Sequence, residues 1–424
     1  MILRKVFTQV ASGICLLGVA HGHKFCDKPP DVITNSPDDL IIRANCENFK
    51  ISDVSCPIIL LQKDGFLTAQ PQTCIYRPPG AQLVSISASQ NSSSEKLAVF
   101  VPEKYNAKDV QHALIMVAGK LSNAGLYWER LRNVSEGLAG TRFKSRNAIP
   151  VAPILFSDRF TPDLHGEDEL SWASPGAWIA GRTANYPPTT NLTSIDALEA
   201  LVDEFSNTEK YPALTNITFI GQSAGGQLVQ RYAAAAKDPP PNIHIRYVQN
   251  NPATCSYFTA QRPSVKGASI PSIDSCKRYD HWPYGFTGFK GTSTGRKTPR
   301  QYFEQYISRD VVATVGYLDT NPCSGDQGCR AVMQGGRKRR NRNLVWYRYV
   351  HELARTGEDL RGFPGRFEGL PDWSGGRVRL RLALARNAGH EFQDIFQTEV
   401  GLSALFDDGN VMEGFRPGRR GRVG

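Results

Sequence analysis

Gly221-Gln222-Ser223-Ala224-Gly225 is the stretch in which residue type and spacing most directly spell chemistry. It stands between an apolar run, Thr218-Phe219-Ile220, and a run of helix formers from Leu228 to Ala236. A serine on a sharp strand-to-helix turn adopts strained backbone angles, and the residues two before and two after it must lack side chains to avoid clashes. Gly221 and Gly225 meet that demand. Ser223 would then sit at a helix N-terminus, where unpaired N–H groups favour developing negative charge. The chemistry implied is nucleophilic attack by a hydroxyl. In a chain with 38 glycines the string alone is a weak signal, so its specificity comes from the strand before it and the helix after it.

A hydroxyl nucleophile needs a base, and the base needs a group that orients it. Among the 8 histidines, His390 is the one that follows an apolar strand, VRLRLALA, through the loop RNAGH and precedes a helical stretch. His21 and His23 flank the expected cleavage point described below, His112 and His244 precede strands, and His165, His281 and His351 lie in irregular or polar segments. For the acid, Asp319 ends the apolar run VVATVGYL and opens the turn DTNPC, with an ordinary Asx turn as its structural alternative. Asp310 begins the same run and belongs to the opposite edge of a sheet. An oxyanion would need backbone donors. The N–H of Ala224 is one, and the loop after ALIMVAG offers the second, where Gly119 permits close approach and Lys120 supplies the N–H.

Positioning such a set requires strands whose carboxyl ends meet. Candidate strands fall at Leu83–Ala88, Lys96–Pro102, Ala113–Gly119, Val151–Ser157, Ile217–Ile220, Ile245–Asn250, Val311–Leu318 and Val378–Ala385. Several are nearly continuous apolar runs, as expected of strands buried on both faces of a parallel sheet. Helices are expected at Ala124–Leu138, Ser194–Ser206, Ala224–Lys237, Arg300–Ser308 and Glu391–Phe406. The alternation implies right-handed crossovers and an α/β class. Two longer excursions, 158–190 and 255–299, break the alternation. They read either as cap-like loops at the binding edge or as structural loops, and Trp172, Trp178 and Trp282 within them line a substrate pocket or fill core. GTSTGRKT at Gly291–Thr298 falls short of a phosphate-binding loop in spacing and context and reads as a plain loop.

The chain has 424 residues, 40 % of them apolar and 10 % aromatic, too hydrophobic for disorder. No run is long enough for a polytopic membrane protein, and neither a Gly-X-Y nor a heptad period persists. The net charge of +10 is concentrated in Arg337, Lys338, Arg339, Arg340 and Arg342 and in Arg416, Arg419, Arg420 and Arg422. Two such clusters read as solvated surface rather than the cationic face of a nucleic-acid binder. Residues 1–20 have the layout of a secretory signal peptide, with two cations, a short apolar run and small residues at its end. Cys15 would leave with it, and the remaining cysteines form an even set that reads as disulfides of an exported, extracellular chain. Local pairing predicts Cys255–Cys276 and Cys323–Cys329, with two bridges of undetermined order among Cys26, Cys46, Cys56 and Cys74 in a Cys- and Pro-rich extension over residues 21–80. Sequons at Asn91, Asn133, Asn191 and Asn216 agree with N-glycosylation. Residues 411–424 read as a basic, disordered tail.

With Ser223, Asp319 and His390 in that chain order, each after a strand, the chain is similar to the α/β-hydrolases. More narrowly it resembles a group of secreted, mostly fungal, serine hydrolases of unassigned substrate. The likeness runs from about Leu83 to Phe406 through KLAVFVPEKYN, ITFIGQSAGGQLVQRYA, NNPATCSYF, CKRYDHWPYGF, VVATVGYLDTNPC and AGHEFQDIF. It implies an eight-stranded, mostly parallel sheet flanked by helices over residues 81–410, and the triad roles given above. It also implies a disulfide near the acid, matched by Cys323–Cys329. Hydrolysis of a small-molecule or polymer ester by a monomer follows, without metal or organic cofactor, nucleic acid or membrane insertion. A serine peptidase of the same fold, or a binding protein that keeps the scaffold, uses the same parts. Two departures stand out: Ala118-Gly119 replaces the His-Gly of many relatives, and the arginine run with 357–376 lengthens the link from acid to histidine.

Overall fold

The structure, a computed structural model, describes residues 25–26, 71–89, 92–407 and 409–418. The expected signal peptide, Cys46, Cys56, Asn91, Arg419, Arg420 and Arg422 lie outside the described residues. No described helix is long and apolar enough to cross a membrane.

Eight strands form one sheet: β1 (Ala81–Ser89), β2 (Ser92–Pro102), β3 (His112–Val117), β4 (Ala148–Pro153), β5 (Asn216–Gln222), β6 (His244–Asn250), β7 (Asp310–Gly316) and β8 (Arg381–Ala385). Their spatial order is β1-β2-β4-β3-β5-β6-β7-β8. The hairpin β1–β2 and the contact β2–β4 are antiparallel, and every other pairing is parallel. Each expected strand is present. Side chains alternate between two cores, with Ala113, Ile115 and Val117 of β3 on one face and Leu114 and Met116 on the other.

Helices α1 (Ala124–Glu136), α2 (Ser194–Phe205), α3 (Ala224–Ala235), α4 (Pro299–Ser308), α5 (Arg339–Leu353) and α6 (Glu399–Phe406) cover the sheet, with shorter turns at Pro175–Ile179, Cys329–Val332 and Phe392–Phe396. The stripe read for α2 is the buried one: Ile195, Leu198, Leu201 and Val202 face the core, and Thr193 with Asp196 closes a capping box. All twelve residues of α3 are buried, and Arg309 binds the carbonyls of Ala233, Ala236 and Lys237 at its C-terminus. The helix expected over Glu391–Phe406 divides after Phe396, where Thr398 caps the N-terminus of α6. Gly291–Thr298 is a turn joined by Thr292 and Gly295, as read.

Three expectations are overturned. The arginine run is not solvated surface throughout: Lys338 is exposed, but Arg339 and Arg342 are buried at the start of α5, a helix the polar composition of the run concealed. The cysteine pairs differ too. Cys276 joins Cys329, 53 residues away, while Cys255 is a free, buried thiol. Cys74 and Cys323 are also disulfide-bonded. Sequence proximity misled because the excursion 255–299 folds back over the loop that follows Asp319, so Cys276 meets Cys329 with Cα atoms 5.7 Å apart. Finally, residues 411–418 are ordered. Leu384 of β8 exchanges backbone hydrogen bonds with Glu413 and Phe415, and Arg416 pairs with Glu358 over the Phe363 ring.

At the amino edge of the sheet, Asp310 is buried and accepts from Arg246 at 3.0 Å, His244 at 3.0 Å and Arg381. Burial alone would raise its carboxyl; the His244 hydrogen bond and the Arg246 and Arg381 charges outweigh burial and depress it well below the usual carboxylate range. A depressed pKa stabilises the fold above the unfolded-chain value and is lost as pH falls through about 4 and below. Asp310→Asn is therefore expected to cost roughly 3–5 kcal/mol at pH 7, leaving Arg246 buried without its partner. The gap from wild type should narrow at pH 3 in urea titrations at both pH values.

Candidate active site

Ser223 follows Gln222, the last residue of β5, and holds φ 53° and ψ −106°, a region costing about 1–3 kcal/mol for a residue with a side chain. The turn closes on bare backbone. A Cβ on Gly221 would lie 2.3 Å from the Gly225 carbonyl oxygen, and one on Gly225 would lie 2.1 Å from that of Val117. Gly226, not singled out in the sequence, is equally constrained, with the Asn250 carbonyl 2.7 Å from its notional Cβ. The Ser223 N–H donates to that same carbonyl at 2.9 Å. The nucleophile turn is thus wedged between the ends of β3 and β6.

Register brings the other two residues to this edge. Gln222 lies beside Asn250 of β6, Asn250 beside Thr314 of β7, and Gly316 beside Ala385 of β8. Asp319 comes three residues after Gly316 and His390 five after Ala385. His390 Nδ1 is 3.0 Å from Asp319 Oδ2, and both side chains are largely buried. The carboxylate only accepts, so Nδ1 carries the hydrogen, which in a neutral imidazole leaves the lone pair on Nε2. Among the described residues, no hydrogen bond joins the Ser223 hydroxyl to the imidazole; such contacts commonly tighten only when substrate binds.

Polar side chains that sequence reading passed over hold the histidine loop. Gln222 Nε2 donates to the His390 carbonyl at 2.7 Å, and Asn251 Nδ2 to the carbonyls of Gly389 and His390 at 3.2 Å each. Asn250 donates to Gln222 Oε1 and accepts from Thr314 Oγ1 at 2.8 Å, while Asn251 Oδ1 accepts from the Gly316 N–H at 2.9 Å. One relay therefore links the nucleophile turn, the strand before the acid and the histidine loop. The pair Asn250-Asn251 at a strand end was its only visible trace in the sequence.

Asp319 has a second partner. Arg339 Nε lies 3.1 Å from each carboxylate oxygen and Nη2 lies 3.0 Å from Oδ1, with the arginine side chain 1 % exposed. Burial by itself would raise the carboxyl; the charges of His390 and Arg339 outweigh it and hold Asp319 down at about 2.

Among the described residues the Ala224 N–H, which opens α3, has no backbone acceptor, and Gly225 packs on the carbonyls of Val117 and Ala118, immediately before Gly119 and Lys120. Both expected donors therefore belong to segments in contact. Trp172 and Trp178 are 0 % and 1 % exposed core residues, not walls of an open pocket. Trp282 stacks on Phe289 with ring centres 3.9 Å apart and donates to the Ala180 carbonyl. The two excursions meet at Arg231 of α3, a buried cation that donates to Ile179 O, Pro283 O, Thr254 and Ser256. Of the sequons, Asn133 and Asn191 are exposed, whereas the Asn216 side chain bonds Thr215 and His244.

No protein-family profile and no curated sequence matches the chain. Solved structures do. It is similar to LpqC, a poly(3-hydroxybutyrate) depolymerase from Bordetella parapertussis, at 16 % identity and a TM-score of 0.51 over 78 % of this chain and 92 % of that one. It is also similar to poly(aspartic acid) hydrolase-1 from Sphingomonas sp. KT-1, at 16 % identity and a TM-score of 0.48 over 75 % and 96 %. Siderophore hydrolase EstB from Aspergillus nidulans aligns at 12 % identity and a TM-score of 0.40 over 81 % and 99 %. Strand order and the likeness to the Bordetella structure agree on the fold: the chain has the α/β-hydrolase fold.

Proposed function

We propose that this chain is an exported serine hydrolase that cleaves an ester through an acyl-enzyme. The observation that carries the reading is the 3.0 Å contact of His390 Nδ1 with Asp319 at the sheet edge where Ser223 occupies its strained turn. Ser223 Oγ attacks the ester carbonyl as His390 Nε2 takes its proton, and the Ala224 and Lys120 N–H groups receive the oxyanion. The imidazolium returns the proton to the leaving alkoxide. Water, deprotonated by His390, then attacks the acyl-serine and regenerates the hydroxyl. Export rests on residues 1–20, the cysteines and the sequons, and the resemblance to secreted fungal-type hydrolases on motifs such as ITFIGQSAGGQLVQRYA and VVATVGYLDTNPC. Substrate class is the open variable, since one fold serves many. Because the Bordetella structure bears the name of a polyester depolymerase, hydroxyalkanoate polyesters belong in a screen beside short acyl esters and acetylated sugars.

The secreted protein should be labelled by a fluorophosphonate, and Ser223→Ala should abolish the label. A folded wild type that takes no label overturns the reading and leaves a binding protein on a hydrolase scaffold.

A further inference from the structure

Resting on that reading, we propose that Arg339 is a positioning residue of the triad: it locks the plane of the Asp319 carboxylate and offsets part of its charge, so that the imidazole is held in place without being over-stabilised as a cation. A triad acid needs one oxygen for the histidine, and here His390 uses Oδ2. A buried carboxylate has further lone pairs to satisfy, and an arginine fork satisfies them in a fixed geometry. Arg339 does so through Nε, which donates to both oxygens, while Nη2 adds an ion-pair contact to Oδ1, against a carboxylate only 2 % exposed.

The arginine is itself anchored. The Asn343 side chain donates to its carbonyl at 2.9 Å, and the next residue's N–H, that of Arg340, donates to the Asp319 carbonyl at 3.0 Å. The first turn of α5 thus grips both the side chain and the backbone of the acid. Other charges near the pair are already occupied. Arg342 is wrapped by the carbonyls of Gly336, Ala253 and Asp326, Glu391 faces Arg130 of α1 at 3.3 Å, and Asp394 accepts from the Gly389 N–H. Arg340 extends to the Tyr317 carbonyl. Arg339 is the cation bonded directly to the acid.

Two consequences separate this role from simple packing. A neutral replacement, Arg339→Gln, lets Asp319 stabilise the imidazolium more strongly, so the acidic limb of kcat/KM on p-nitrophenyl acetate should move up by about one pH unit. Arg339→Lys keeps the charge but loses the two-oxygen fork. Its limb should stay within a few tenths of a unit of wild type while kcat falls more than about 10-fold.

An unmoved limb in an active Arg339→Gln enzyme overturns the proposal. Should that variant not fold, a lysine enzyme with wild-type kcat overturns it equally. A wild type that neither turns over the ester nor takes the fluorophosphonate sinks the hydrolase reading instead, which the Ser223→Ala control distinguishes.

Discussion

Asp319→Asn is expected to lower ester turnover on the order of 10⁴-fold and to destabilise the fold, whereas His390→Ala should match or exceed the kinetic loss with little change in stability. The two exchanges cut the same hydrogen bond but leave different remnants. An asparagine presents a neutral amide to His390 Nδ1, so the imidazole can adopt the tautomer with its hydrogen on Nε2, which cannot accept the Ser223 proton. It also strands Arg339, whose side chain is 1 % exposed, without its counter-charge. Removing one partner of a buried ion pair costs about 3–5 kcal/mol. His390→Ala instead leaves the Asp319–Arg339 pair intact and opens space at a largely buried site. Initial rates on p-nitrophenyl esters, with urea titrations of both variants at pH 7, check the pattern. Full turnover by folded Asp319→Asn would remove Asp319 from the triad. Equal stability losses in the two variants would mean that Arg339 does not depend on this carboxylate.

What could be read from sequence divides along a physical line. Strands buried on two faces must be apolar throughout, so ALIMVAG and VVATVGYL declared themselves. A serine in a positive-φ turn must be flanked by residues without side chains, so Gly221 and Gly225 did as well. Chain order then placed Asp319 and His390, because each follows such a strand. What stayed hidden depends on contacts between distant segments. Arg339 looks like any member of a basic run until α5 turns it inward onto Asp319. Cys276 and Cys329 are 53 residues apart and meet only because the excursion folds back. Gln222, Asn250 and Asn251 read as ordinary polar residues at strand ends, yet each has its partners set by register across β5, β6 and β7. Arg231, too, was hidden inside a helix with no other charged residue. Composition describes average environment, and these residues are exceptions to it.

Gly316→Ala should cut turnover severely, although the glycine bears no functional group. It ends β7, three residues before Asp319, and an added Cβ would lie 1.8 Å from the Gly389 carbonyl oxygen and 2.8 Å from that of Ala388. Both neighbours are backbone, so no side chain can swing aside. Either β7 or the loop carrying His390 must retreat, and the loop is the softer of the two. Its attachments are a few isolated hydrogen bonds, from Asn251 and Gln222 to the Gly389 and His390 carbonyls, from the Leu318 N–H to the Ala388 carbonyl and from the Gly389 N–H to Asp394, whereas β7 is laddered to β6 and β8 on both sides. A retreat of about 1 Å draws the imidazole away from both Asp319 and Ser223, and a misplacement of that size can cost about 10²-fold in rate by itself. The Asn251 link adds to it, because the same side chain accepts from the Gly316 N–H. The expected result is a folded protein, destabilised by roughly 1–3 kcal/mol, with kcat reduced at least about 10²-fold and KM for small esters nearly unchanged. Steady-state kinetics with a thermal melt decide it. Wild-type kcat in Gly316→Ala would show that the histidine loop tolerates displacement and that its backbone contacts do not position the base.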